Sequence, residues 1–150
     1  MSITNVTDWR DLSDKLTPAQ VTDMGLFERD TSAYRPLPGA LVMIATSMVE
    51  TNEAQIRFAH IPVPADAIDV PSPWEALDTD LYQRVYTAWR HPAVPDAARV
   101  LGHQHSDGTI VRAIVANVDL EDIDAGTARA IATALLLAAD EMDRLNGGAR

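Results

Sequence analysis

Two histidines at alternate positions beside a carboxylate are the residues here best spaced to do chemistry. In LGHQHSDG, His103 and His105 lie two apart, so on an extended strand both imidazoles leave one face, and Asp107 follows two residues later. Two imidazoles and a carboxylate form a ligand set for zinc or another divalent ion. The plainer reading is two polar residues on a solvated edge strand next to a turn. His60 and His91 stand alone near loop ends and read as ordinary surface or helix-end residues.

A second set is acidic: Asp119, Glu121, Asp122 and Asp124, then Asp140, Glu141 and Asp143. Paired carboxylates can do acid–base work or hold calcium, but the glycine and terminal glutamate of a calcium loop are not at the required spacing. Solvated surface and helix capping account for them. The third set is Trp74, Tyr82, Arg84, Tyr86 and Arg90. Tyr, Trp and Arg are enriched at binding hot spots, so on an edge strand these five would form a surface for a protein partner or a second copy. Otherwise they pack against the proline-rich stretch before them. The chain has no nucleotide loop, GxSxG elbow, HExxH or dinucleotide fingerprint. No catalytic residue and no cofactor is therefore assigned.

The elements that must carry these residues read as an α+β fold. Ala97 to Leu145 is organised as strand, SDG turn, strand, acidic link and long helix. A three-residue turn ending in Gly108 pairs His105 with Thr109, His103 with Val111 and Leu101 with Ala113; a two-residue Asp-Gly turn shifts every pair by one. Strands are expected at about 98–105 and 109–118. The second is apolar on both faces, with Val111, Ala113 and Val115 on one and Ile110, Ile114, Ala116 and Val118 on the other, Arg112 being its single charge. Such a strand needs cover on both sides. The helix, about 124–145, opens on Asp124 as N-cap and stops at Gly147-Gly148. Its seam is Ile131, Leu135, Ala138, Met142 and Leu145, and flanking Leu and Ala residues suggest a mid-section buried nearly all round.

Before residue 62 the pattern is helical. A short helix at about 8–15, capped by Thr7, offers Trp9, Leu12 and Leu16 on one side. Thr17-Pro18-Ala19-Gln20 is a capping box opening a second helix, about 18–28, with Val21, Met24, Leu26 and Phe27 apolar. Together they read as a helical hairpin appendage, 1–30. The stretch 38–60 fits a helix with Leu41, Ile44, Ala45, Met48, Asn52, Gln55, Ile56 and Ala59 along one face, and it is the natural cover for the sheet's second side. Pro62, Pro64, Pro71 and Pro73 impose a surface loop over 62–73. Residues 81–90 form a third antiparallel strand, although Ser72-Pro73-Trp74-Glu75 also resembles a helix start. Leu81, Val85 and Trp89 alternate there with Tyr82, Arg84, Tyr86 and Arg90.

Bulk composition narrows the function. At 150 residues the expectation is one domain. No cysteine is present, which excludes disulfides, thiol nucleophiles and Cys-ligated metal. The opening MSITNVTDW lacks a basic or apolar signal region, and no run is long enough to span a membrane, so the expected location is cytoplasmic. A net charge of −10 argues against nucleic acid as a partner. One lysine against eleven arginines, with abundant alanine, points to a G+C-rich genome.

The tail DGTIVRAIVANVDLEDIDAGTARAIATALLLAADEMDRL resembles a recurrent C-terminus of small uncharacterised actinobacterial and actinophage proteins. In those a DG turn and apolar strand lead through an acidic link to an Ala-rich helix ending AADE-x-D. The opening DWRDLSDKLTPAQV is similar to starts in the same class. The resemblance implies a high-G+C bacterium or its phage and brings no activity with it. Three functions fit the residues: a non-enzymatic protein acting by protein–protein contact, as a homodimer; a metal-binding protein or enzyme centred on His103, His105 and Asp107; or an acidic inhibitor of a host nucleic-acid-binding protein.

Overall fold

The computed structural model describes residues 6–30, 37–93, 97–116 and 124–147. A 3-10 helix, Trp9–Lys15, leads to α1 (Pro18–Arg29) and α2 (Pro38–Arg57); then come β1 (Glu75–Ala76), β2 (Tyr82–Arg90), β3 (Arg99–His105), β4 (Ile110–Val115) and α3 (Ala125–Leu145). The architecture is α+β, with four antiparallel strands in the order β1-β2-β3-β4. The chain forms two compact units, Met1–Ala59 and His60–Arg150.

The first unit is held by a core of Trp9, Leu12, Leu16, Met24, Leu41, Ala45 and Val49. Its opening helix is 3-10 rather than α, and its cap is Asp8 rather than Thr7, the Asp8 carboxylate accepting from the Arg10 N–H. At α1 the Thr17 hydroxyl accepts from the Gln20 N–H while the Gln20 amide oxygen accepts from the Thr17 N–H, which completes the capping box. Helix α2, expected as cover for the sheet, places Leu41, Ala45 and Val49 in this unit's own core. Those positions step by four, so the buried stripe runs i, i+4, i+8, and it leaves Ile56 exposed.

In the second unit the hairpin takes the three-residue turn. The His105 N–H donates to the Thr109 carbonyl, Gly108 sits at φ 90°, and His103 pairs with Val111 and Leu101 with Ala113. Strand β2 pairs in register with β3 until a bulge between Thr87 and Trp89. That extra residue reverses the alternation. Trp89 pairs with Val100 and packs with the core side, whereas Arg90 pairs with Arg99. The core beneath α3 comprises Tyr86, Ala88, Ala98, Val100, Ala134 and Ala138.

Helix α3 opens on Asp124, whose carboxylate accepts from the Thr127 N–H at 2.7 Å. Gly147 terminates it at φ 99°. Its middle is not buried all round: only Ala134 and Ala138 are fully buried, and Leu135, Leu136 and Leu137 are exposed. Small residues bring the helix close to the sheet, so its larger side chains end up on the flanks and the back.

Candidate functional site

The most elaborate polar constellation lies between the sheet and the proline-rich segment, and it begins at a glycine. Tyr86 on β2, Gly102 on β3 and Arg112 on β4 are directly opposite one another. The Tyr86 ring lies across Gly102 so closely that a Cβ there would stand 2.1 Å from a ring carbon. Glycine is required at this position by space rather than by φ. The ring thereby carries its hydroxyl across β3 to Asp66, donating at 3.1 Å. Asp66 also accepts from Arg112 Nε at 3.1 Å and Nη2 at 2.8 Å, while Arg112 Nη1 donates to the Asn146 side chain at the end of α3. The Asp66 and Arg112 side chains are only 16% and 13% exposed. The lone charge of an apolar strand thus has its partner in the 62–73 loop.

Burial first, and then the Asp66 charge, push the Tyr86 phenol up to about 12. A phenol held neutral is a poor base and a poor nucleophile at neutral pH. The Asp66 carboxylate is filled by three donors. This cluster is a clasp that ties the loop, the sheet and the end of α3 together.

The same segment seals the β2 edge. Proline cannot continue a ladder, and side chains substitute for it. The Asp69 carboxylate accepts from the Thr87 N–H at 2.8 Å and the Ser72 hydroxyl from the Val85 N–H at 2.8 Å, while the Ile68 and Ser72 N–H groups donate to the Thr87 and Val85 carbonyls. Arg90 pairs with Asp69 at 3.0 Å. Arg84 donates to the Ile61 and Pro62 carbonyls and to Gln104, with its guanidinium 4.7 Å from the centre of the Trp74 ring.

The expected interface of Trp74, Tyr82, Arg84, Tyr86 and Arg90 is therefore not one open surface. Trp74 is 1% and Tyr86 2% exposed, Arg84 is engaged by the loop, and Arg90 follows the bulge to its pairing with Asp69. Arg84, Tyr86 and Arg90 bind the chain's own proline-rich segment, and Trp74 packs under the Arg84 guanidinium.

His103 and His105 do share a sheet face, but Asp107 does not join them. It accepts from the Thr109 N–H at 2.8 Å and hydroxyl at 2.7 Å, and these bonds, the backbone one first, hold its carboxyl below the usual range. His103 Nδ1 faces the Gln83 amide oxygen at 3.4 Å and His105 Nδ1 the Thr109 hydroxyl at 3.1 Å. Among the described residues no group of three or more His, Asp or Glu is arranged to hold a metal ion. Of the acidic set, Asp119, Glu121 and Asp122 lie outside the described residues, Asp124 caps α3, and Glu141 accepts from Arg144.

Asp66, Asp69 and Gly102 did not stand out in the sequence. One signal was there: an arginine alone in an apolar strand must find an anion, and PADAIDVP sets two carboxylates among prolines. No helix among the described residues is long and apolar enough to cross a membrane. No family model, no curated protein and no solved structure matches this chain.

Proposed function

We propose that this is a small, acidic, non-enzymatic interaction protein that works as a homodimer, with the exposed leucines of α3 in the contact. One observation carries the reading: three consecutive leucines are exposed on that helix, Leu136 at 68%. Scattered surface leucines need no explanation, whereas three in succession, which leave the flanks and the back of one helix apolar, do. From Ala125 to Ala139 the only charge is Arg129. In a chain of net charge −10, copies repel one another over most of their surface, and an almost uncharged face is where two can approach. The clasp supports the same view, since its polar groups are consumed within the fold and none is left for a substrate. The arginine skew and the form of the tail favour a high-G+C bacterium or its phage as the source.

The test is the mass of the native chain in solution across a dilution series. A dimer mass at high concentration that the double variant Leu135→Glu/Leu137→Glu abolishes, with the far-UV circular dichroism unchanged, is expected. A monomer mass at every concentration sinks the reading.

A further inference from the structure

The two edges of the sheet are treated differently. The β2 edge is sealed by Asp69, Ser72 and the proline-rich segment, the usual protection of a natural sheet. At the other edge, among the described residues, no strand lies beyond β4. Because the His105 N–H bonds the Thr109 carbonyl, the antiparallel alternation turns the backbone groups of Val111, Ala113 and Val115 toward β3. Those of Ile110, Arg112 and Ile114 are thereby turned outward. Natural edge strands are commonly blunted by lysine, proline or a bulge, and IVRAIV has none of these. Its one charge, Arg112, is already neutralised by Asp66.

We propose that β4 is the pairing strand of the dimer: a second copy adds its own β4 antiparallel to it, with the two-fold axis at Arg112. This rests on the homodimer reading above and specifies its geometry. Centring on Arg112 is the register that uses all three outward residues of both strands, and it makes the strand self-complementary. Ile110 meets Ile114 on the α3 side, and Val111, which is 53% exposed, meets Ala113 on the other. No like charges meet except the two clasped arginines at the axis.

The axis stands perpendicular to the sheet, so both α3 helices lie on the same side. Helix α3 touches β4, β3 and β2. Ala134 and Ala138 face the sheet, so at 100° per residue Leu135 and Leu137 project from opposite flanks of α3. The flank of each helix that borders β4, with its one leucine, is therefore turned toward the partner beside the paired edge.

Because the chain has no cysteine, engineered thiols report this register directly. Val111 and Ala113 of two copies form a non-hydrogen-bonded pair, where Cα atoms approach to about 4.5 Å, within disulfide reach. The V111C/A113C variant under mild oxidation is expected to give a covalent dimer about tenfold faster than V111C alone, whose thiols sit two residues out of register, because pairing raises the local thiol concentration. Val111→Lys, at an exposed position, is expected to leave the far-UV circular dichroism unchanged and shift the mass to monomer. If the native chain is dimeric but V111C/A113C crosslinks no faster than V111C and V111K remains a dimer, this geometry is overturned while the homodimer reading stands. A native chain that is monomeric at all concentrations overturns both.

Discussion

Tyr86 shows how much one side chain can hold together. Its phenol normally ionises near 10 and here is pushed to about 12. The folded value is the raised one, so the stability contributed by the neutral phenol is complete below the unfolded value. It is lost as the pH climbs from about 10 through 12. Native protein should therefore lose stability across that window, and Tyr86→Phe should flatten the loss while costing about 1 kcal/mol at neutral pH for the missing hydrogen bond. Denaturant titrations at a series of alkaline pH values read both effects, and an unchanged alkaline slope in the variant would contradict the assignment. Asp66→Ala leaves the Arg112 guanidinium mostly buried without its anion, which should cost about 3 kcal/mol or more. Gly102→Ala forces the Tyr86 ring off Asp66 and should destabilise by about 1–3 kcal/mol through overpacking alone. Equilibrium unfolding of either variant within error of the native protein would show that the clasp does not bear on stability.

Among the elements, the proline-rich segment acts as an edge strand made largely of side-chain oxygens. Burial pushes Asp69 up, but hydrogen bonds from Thr87 and the charge of Arg90 outweigh it, and its pKa is held low. A depressed carboxylate contributes stability that is present above its unfolded value, near 4, and lost as the pH falls through the folded one. Asp69→Ala should therefore reduce the acid sensitivity of the second unit and speed amide exchange at Thr87, with Val85 responding in the same way to Ser72→Ala. Exchange at those two amides that does not respond would mean the segment is not their cover. Helix α3 depends on its cap, and Asp124→Ala should lower the melting temperature.

For the whole molecule, the division at 59/60 matters most. Every residue of the clasp and of the core beneath α3 comes after His60. A fragment of residues 60–150 should fold by itself, keep the alkaline transition of Tyr86 and retain the oligomeric state of the native chain. A fragment with no cooperative melt would show that the second unit needs the first.

From the chain alone, pattern decided the elements: the β-branched run in IVRAIV, period 3.6 across α3, the Thr17–Gln20 box, and an SDG turn whose glycine takes positive φ. These are local effects, acting over a few residues, and the structure agrees with them to within a few positions. What the sequence could not supply was anything that depends on which distant surfaces meet. The bulge at Thr87–Trp89 reverses an alternation without any mark in composition. The small radius of Ala134 and Ala138, and not the leucines beside them, sets how α3 lies on the sheet. Arg112 announced a missing anion, but only tertiary packing named Asp66, because a charge finds its partner through space across residues that carry no memory of the distance along the chain.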